Sequence, residues 1–147
     1  MFKTILVPVS LSAELVQTQR ALHAAITLSQ LHTARLHILT VMPGFGSPWV
    51  AGYFPKPDMN KIKDEAYQQL RDIVKPVLPD SVDVKLKALD GTPYKRILQE
   101  SERISADLIV IPSHSHNAME RTLLGSVAAR VVERSKVSVL VVRPELP

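Results

Sequence analysis

The feature that most constrains this chain is a regular alternation of short apolar segments with stretches of helical periodicity. The apolar or alternating segments lie at residues 5–9, 36–41, 82–86, 108–111 and 137–142. Each is long enough for a strand and too short for a typical helix. Between them, apolar residues recur every three or four positions, which is the spacing of one helix face. The pattern therefore predicts the element order βαβαβαβαβ.

Residues typical of helix ends mark the boundaries of the predicted helices. Ser12 and Asp58 are predicted N-caps of the first two helices. Gly91, Thr92 and Pro93 supply a turn glycine, an N-cap and a first-turn proline for the third helix. The inward faces of the first, second and last helices are predicted from these apolar stripes: Leu15, Leu22, Ala25 and Ile26; Ile62, Ala66, Leu70, Ile73 and Val77; Leu124, Val127, Ala128, Val131 and Val132.

Helical crossovers between successive strands predict a parallel sheet with right-handed connections. The expected fold is α/β: a three-layer, doubly wound, five-stranded parallel sheet formed by one domain of residues 1–147. Val82, Val84 and Leu86 alternate with charged residues, which predicts that the third strand lies near a sheet edge. Sheets of this kind bind ligands at the carboxyl ends of the strands, where the strand order changes direction.

Composition excludes several function classes. The chain has no cysteine, so disulfides, Cys-liganded zinc, thiol catalysis and iron–sulfur clusters are excluded, and a cytoplasmic location is expected. No apolar run approaches the roughly 20 residues that span a bilayer, and no signal-peptide pattern opens the chain, so membrane insertion is not expected.

Charge indicates no nucleic-acid partner. The 18 Lys and Arg residues outnumber the 14 Asp and Glu residues, and they are scattered, with no run longer than Lys95–Arg96. A nucleic-acid-binding protein usually concentrates such charge on one face. The excess is nevertheless compatible with attraction of a small polyanion.

A polar segment after the fourth apolar strand is the strongest candidate site. It spans residues 112–126 and ends with Gly125 and Ser126 at the start of the last predicted helix. Ser113 and Ser115 are its first two serines. Free backbone N–H groups and the positive end of the helix dipole suit a phosphate at this position. The alternative is that Ser126 is simply a capping residue, since serine is common at helix starts.

Other chemistries find little support in the sequence. His114 and His116 lack the accompanying ligands of a typical metal site, so no metal site is predicted. The chain has neither a Gly-x-Ser-x-Gly elbow nor a Gly-x4-Gly-Lys-Ser/Thr loop, which argues against a serine hydrolase and a P-loop NTPase. No catalytic residue is predicted.

The segment 43–57 breaks the alternation of strands and helices. It holds four prolines, three of the five glycines and four of the seven aromatic residues, which are Phe45, Trp49, Tyr53 and Phe54. A loop of this length inside one domain is uncommon and is typically functional or mobile. Two interpretations stay open: the aromatic residues fold back onto the domain, or they form a lid or a partner-binding surface.

Taken together, these segments resemble the universal stress protein family over nearly the whole chain. The similar segments are Ile5–Val9, Asp90–Pro93 with Ile97, Ala106–Val110, Gly125–Ser126 and Ser138–Arg143. The form Leu-Leu-Gly-Ser at 123–126 looks closer to the nucleotide-binding F/G-type than to the A-type. The resemblance implies an adenine-nucleotide alpha-hydrolase-like fold with strand order 3-2-1-4-5. It also implies a homodimer that binds ATP, with or without Mg²⁺, and acts in the stress response.

The same resemblance implies the positions of the nucleotide. Adenine is expected beside the ends of the first two strands, and the phosphates around the last helix start. The corresponding residues are Pro8, Val9, Ser10, Thr40 and Val41 for adenine, and Ser113, Ser115, Gly125, Ser126 and Val127 for the phosphates. No side chain is placed as a strong general base, so ATP hydrolysis is expected to be slow at most.

This sequence departs from the family's Gly-x2-Gly-x9-Gly-Ser/Thr signature at two positions. Pro112 and Ser115 stand at the first two glycines, and Ser10 stands where an acidic residue is often found. Proline donates no N–H, and a serine held in the left-handed region costs roughly 1–2 kcal/mol. ATP binding is therefore expected to be weaker than in relatives with all three glycines. The alternative function is an interaction module that has lost the nucleotide.

The last strand is the predicted dimer interface. Val137, Val139, Val141 and Val142 make an apolar strand at the end of the sheet. An unpaired edge of this kind favours pairing with a second copy. In the alternative function, the protein acts through this dimer and the aromatic segment 43–57.

Overall fold

Five parallel strands form one sheet in the order β3-β2-β1-β4-β5 in the computed structural model, which describes residues 1–44, 58–114 and 123–145. The strands are β1 (Thr4–Pro8), β2 (Arg35–Pro43), β3 (Val84–Gly91), β4 (Leu108–Pro112) and β5 (Ser138–Val142). The predicted strand order is confirmed, and β3 lies at the edge that its alternating pattern predicted.

Four helices accompany the sheet in the described part of the chain. They are α1 (Leu15–His32), α2 (Met59–Val74), α3 (Pro93–Arg103) and α4 (Ser126–Arg134), and a short 3-10 turn at Lys75–Val77 follows α2. Helices α1 and α2 pack on one face of the sheet, and α3 and α4 pack on the other. This arrangement is the predicted three-layer α/β fold.

Alternate residues of the central strands supply the two cores. Ile5 and Val7 of β1 pack beneath α1 and α2, whereas Leu6 belongs to the core beneath α3 and α4. In β4, Leu108 and Val110 lie in the first core and Ile109 lies in the second. Because successive strand residues point to opposite faces, a strand covered on both sides must be apolar throughout. This requirement explains the uninterrupted apolar runs of β1 and β4.

The predicted helix caps have three different outcomes. The Asp58 side chain accepts hydrogen bonds from the N–H groups of Asn60 (3.1 Å) and Lys61 (3.3 Å), so this prediction is confirmed. Thr92 occupies the N-cap position before Pro93, but its side chain makes no capping bond. The prediction for Ser12 is wrong, because α1 begins at Leu15 with Glu14 as its N-cap.

A tight turn between β1 and α1 explains the wrong cap. The Ala13 N–H donates to the Ser10 carbonyl at 3.1 Å, which closes a turn over residues 10–13 before the helix begins. The hydroxyls of Ser10 and Ser12 lie 3.1 Å apart on this turn. The helix therefore begins two residues later than the predicted Ser12 cap would place it.

Two residues of the predicted apolar stripes are not on inward faces. Leu15, the first residue of α1, is 53% exposed, and the buried face of that helix begins at Gln17 and Thr18. Val132 of α4 is 42% exposed, although its neighbour Val131 is fully buried. One residue is a rotation of about 100° around a helix, which carries Val132 beyond the narrow contact with the sheet.

Gly91 and Thr33 both have positive φ angles, so opposite substitutions at the two positions test backbone strain. Gly91 has φ +133°, and a Cβ added there would lie 3.0 Å from Cγ of Arg96. Thr33 ends α1 with φ 54°, in the left-handed region. We expect Gly91→Ala to lower the free energy of unfolding by about 1–2 kcal/mol. We expect Thr33→Gly to raise it by about 0.5 kcal/mol. Urea denaturation measures both, and equal effects of the same sign would contradict this account.

A buried carboxylate joins α3 to the edge strand. The Glu100 side chain is only 7% exposed, and its carboxylate accepts from Nε of Arg103 (3.0 Å) and from Nζ of Lys87 on β3 (3.3 Å). The hydrogen bond from Arg103, aided by Lys87, lowers the pKa of Glu100 below its usual 4.5, although burial acts in the opposite direction. A lowered carboxyl pKa stabilises the fold above pH 4.5, and this contribution is lost as the pH falls through the folded-state pKa.

Substitution at Glu100 tests this linkage. Glu100→Gln should lower the free energy of unfolding by about 1 kcal/mol near neutral pH, because two charged donors lose their ionised acceptor. The difference from the parent should shrink in strong acid, where Glu100 itself is protonated. The control is Glu102→Gln on the same helix, whose partner Lys136 is 82% exposed. That exposed pair should contribute almost nothing. A pH-independent effect of Glu100→Gln in chemical denaturation would contradict the assignment.

Candidate functional site

Strands β1 and β4 separate at their carboxyl ends and create a fork in the sheet. They are paired at Ile5–Leu108 and Leu6–Ile109, whereas β1 stays paired with β2 as far as Pro8 and Leu39. The next residue, Val9, donates its N–H to the Leu39 carbonyl at 2.7 Å and so continues toward β2. The fork is the point where the strand order changes direction, which is where doubly wound sheets bind ligands.

A cavity of about 340 Å³ occupies this fork. Its described walls are the segment after β1, the end of β2, the end of β4, the start of α3 and the start of α4. The residues are Pro8, Val9, Ser10, Leu11, Ser12, Ala13, Leu39, Thr40, Val41, Met42, Pro43, Pro93, Ile97, Ile111, Pro112, Ser113, Gly125, Val127 and Ala128. This volume lies at the lower end of the ~300–1,000 Å³ range of small-molecule sites.

Most of the site residues predicted from sequence come together on these walls. Eight of the ten line the cavity: Pro8, Val9, Ser10, Thr40, Val41, Ser113, Gly125 and Val127. Ser126 does not line it and is exposed as the first residue of α4. Ser115 lies outside the described residues.

Ser113 connects three elements at the end of the cavity beside the start of α4. Its carbonyl accepts from the Gly125 N–H at 2.7 Å, and its N–H donates to the Val142 carbonyl at 2.9 Å. Its fully buried hydroxyl lies 3.2 Å from Nδ1 of His114. Ser113 therefore holds the start of α4 against the ends of β4 and β5. The direction of this hydrogen bond depends on the His114 tautomer, and the Ser113 hydroxyl is left free to donate to a ligand where Nδ1 of His114 is the donor.

The start of α4 faces the cavity without a side-chain cap. Gly125 is the N-cap residue, with φ −60° and ψ 157°, and it makes no capping bond. The N–H groups of the first helical turn have no acceptor within the helix. They carry the positive end of the helix dipole, which attracts anions. Because Gly125 has an ordinary extended conformation, any need for glycine here comes from space in the cavity rather than from the backbone.

The described walls of the cavity carry no charged side chain. Apolar residues dominate, including Val9, Leu39, Val41, Ile97 and Ile111, and the polar side chains are serines and Thr40. Such walls suit a flat, largely uncharged ring. Among these residues there is no acid or base that could activate water. In the described ranges 1–44, 58–114 and 123–145, no three His, Cys, Asp or Glu side chains are grouped to hold a metal ion.

Several wall residues were not anticipated from the sequence. Leu11 and Ala13 lie on the turn that precedes α1, and Met42 lies near the end of β2, which is longer than predicted. Pro93 and Ile97 come from the first turns of α3. A sequence signal for Pro93 and Ile97 existed in the helix start at Gly91–Pro93. A helix that follows a parallel strand begins at the carboxyl edge of the sheet, which is the edge where ligands bind. For the tight turn at residues 10–13, no sequence signal was available.

Of the aromatic segment 43–57, only Pro43 and Gly44 lie within the described residues. Pro43 is the last residue of β2 and lines the cavity. The Gly44 N–H donates to the Gly91 carbonyl at 3.3 Å, so the segment leaves the sheet beside the start of α3. The predictions about Phe45, Trp49, Tyr53 and Phe54 fall outside the described residues.

Fold and cavity together define a doubly wound α/β protein with a small-molecule-sized cavity at the switch point of its sheet. The family model of the universal stress protein family matches residues 1–143. The chain therefore belongs to the universal stress protein family. None of the helices in the described part of the chain is long and apolar enough to cross a bilayer.

Three known proteins illustrate the relationship. Universal stress protein MJ0531 of Methanocaldococcus jannaschii is 30% identical over 146 residues, which cover 97% of this chain and 83% of that protein. The solved structure of MJ0577 from the same species has a TM-score of 0.78 at 26% identity, over 100% of this chain and 99% of that one. A universal stress protein solved in complex with cAMP has a TM-score of 0.70 at 24% identity, over 98% and 99% of the two chains. This last similarity shows the fold alone.

Proposed function

We propose that this protein binds an adenine nucleotide, ATP, in the cavity between β1 and β4 and serves as a nucleotide-responsive member of its family. The observation that carries the proposal is the juxtaposition, in one cavity, of apolar walls with the uncapped start of α4. The cAMP complex of a protein with the same fold adds support, since cAMP is an adenine nucleotide.

The walls suggest a division of roles. The adenine ring would lie against Pro8, Val9, Ser10, Thr40 and Val41. The phosphates would lie at the α4 start, where Ser126 and Val127 offer backbone N–H groups, with Gly125, Ser113 and Ser115 alongside. No carboxylate lines the described walls, so an accompanying Mg²⁺ would depend on the phosphates and water for its ligands. Nothing in the proposal requires the metal.

This chain offers fewer backbone N–H donors to a phosphate than a chain with the complete family signature would. Pro112 ends β4 and has no N–H to donate. The Gly125 N–H is already bonded to the Ser113 carbonyl at 2.7 Å. We therefore propose weaker ATP binding than in relatives with three glycines. With no acid or base on the described walls, we also propose that hydrolysis is slow at most and that the protein acts by binding.

Two finer assignments belong to the same proposal. The Leu-Leu-Gly-Ser sequence at 123–126 favours the nucleotide-binding F/G-type over the A-type. The sheet and its four helices, which draw on nearly the whole sequence, favour one domain over residues 1–147.

Calorimetry on a set of variants tests nucleotide binding. Gly125→Val should abolish ATP binding, because it places a branched side chain on the cavity wall at a backbone conformation that valine accepts. Ala129→Val, on the same helix but away from the cavity wall, is the matched control and should bind like the parent. Ser115→Gly should strengthen binding by about tenfold, or 1.4 kcal/mol. Absence of heat from the parent and from Ser115→Gly at millimolar ATP would leave the interaction module as the function.

The second candidate function is the interaction module, and the observation that favours it is the edge strand β5. This strand is paired with β4 on one side and ends the sheet on the other. Val137, Val139 and Val141 pack against the core beneath α3 and α4, and Val142 packs against the other core. Ser138 and Leu140 are the exposed residues of the strand, and Leu140, at 39% exposure, is the apolar one. We propose a homodimer in which β5 edges meet and Leu140 is covered.

Leu140→Lys tests the dimer more cleanly than a valine substitution, because the valines also support the core. A lysine at 140 should make the protein monomeric in sedimentation at micromolar concentration, since it places like charges at a symmetric contact. Leu31→Lys is the matched control, because Leu31 is 74% exposed at the end of α1. It should leave the association unchanged. A parent protein that sediments as a monomer would contradict the proposal.

A further inference from the structure

A second cavity, of about 290 Å³, lies toward the amino ends of the strands on the α3 face of the sheet. Its walls come from the starts of β1, β2 and β3 and from the last turn of α3. They are Thr4, Leu6, Arg35, His37, Ile38, Leu39, Lys85, Leu86, Lys87, Glu100, Arg103 and Ile104. It shares only Leu39 with the cavity in the fork. The two cavities therefore lie toward opposite ends of the sheet.

The alternation in β3 explains why this cavity is charged. Val84 and Leu86 pack against the core beneath α1 and α2. Lys85 and Lys87, one residue out of phase with them, point to the opposite face. The amino half of β3 contributes no residue to the core beneath α3 and α4, and His37 of β2 is the register partner of Lys85. Arg35 lies on the same cavity wall. The charged residues that alternate with the apolar ones in β3, Lys85 and Lys87, therefore line one concave surface.

Cations outnumber carboxylates around the cavity. Arg35, Lys85, Lys87 and Arg103 face a single wall carboxylate, Glu100, which accepts from both Lys87 and Arg103. Arg35 is paired through Nε with Asp83 at 2.8 Å. Lys85 forms no ion pair with any residue in the part of the chain that the structure describes. The wall therefore keeps uncompensated positive charge, with Lys85 as its unpaired cation.

The histidine on the wall reports this positive environment. The pKa of His37 is lowered from 6.5, first by burial and then by the charges of Lys85, Arg35 and Arg103, while Glu100 acts in the opposite direction. His37 is therefore neutral at pH 7. A bound anion would oppose the neighbouring cations, raise the pKa of His37 and draw a proton onto the ring.

We propose that this cavity is a binding site for a small phosphate-type oxyanion carrying two or more negative charges. Lys85 and Lys87 supply ammonium donors from β3, and Arg103 supplies a guanidinium from α3, so the anion would be held between the edge strand and the helix. Guanidinium and ammonium groups are the usual partners of such oxyanions. The site is independent of the nucleotide cavity, because it uses different strand ends and requires no nucleotide.

The first test is calorimetry with two probes, inorganic pyrophosphate and ribose 5-phosphate, which separate a free anion from a phosphorylated metabolite. Binding of either probe, weakened at least tenfold by Lys85→Met, supports the site. Lys61→Met is the matched control, because Lys61 is exposed on α2 away from both cavities. No binding of either probe at millimolar concentration overturns the proposal. Binding that survives Lys85→Met and is lost in Gly125→Val also overturns it, because the anion would then occupy the fork.

The second test is the pH dependence of sulfate binding, since sulfate keeps its two charges between pH 6 and pH 8. In the parent, affinity should rise as the pH falls across this range, because His37 gains a proton when the anion binds. In His37→Gln this rise should disappear while the fold, followed by circular dichroism, is retained. Should His37→Gln not fold, Lys85→Met still decides between the outcomes. A flat profile in the parent would place the anion away from His37 and contradict the assignment.

Discussion

The separation of β1 from β4 is the constraint on which the rest of the structure depends. Both strands are buried on two faces, so helices cover both sides of the sheet. The chain adds β2 and β3 on one side of β1, and then crosses back to add β4 and β5 on the other side. Past Leu6 the chain follows β2 rather than β4. A gap at the carboxyl edge follows from the connectivity itself, whatever side chains line it. The nucleotide proposal uses a space that the fold creates before any specific chemistry is added.

Ser113 fixes the position of the α4 start at one end of that gap. It follows β4 directly, and its N–H and carbonyl join it to β5 and to the start of α4, while its hydroxyl contacts the adjacent His114. Rigid placement of the helix start matters, because dipole and N–H interactions with an anion weaken quickly with distance. The same contacts occupy the Gly125 N–H and engage the Ser113 hydroxyl. The contact that positions the start of α4 therefore also uses one of its N–H donors.

The two cavities differ in the number of charged side chains on their walls. The fork has no charged side chain on its described walls, and the uncapped start of α4 faces it. The amino-end cavity relies on side-chain charge, and Glu100 holds two of its cations in place. Glu100 is therefore both a stabilising contact between α3 and β3 and a limit on the positive potential of that cavity. The two cavities share only Leu39 among their wall residues.

Periodicity and turn chemistry in the sequence by themselves determined the layers, the parallel sheet, the edge position of β3 and the Asp58 cap. These features depend on local geometry and on which residues avoid water. Together with the family resemblance, the sequence also placed eight of ten expected site residues on one cavity wall. Tertiary structure alone decided the start of α1, the outward position of Val132 and the engagement of the Ser113 hydroxyl. It also decided that Lys85, His37 and Arg103, distant in sequence, share a second cavity. Such features depend on contacts between elements, and local sequence patterns carry no information about which side chains meet across a packed interface.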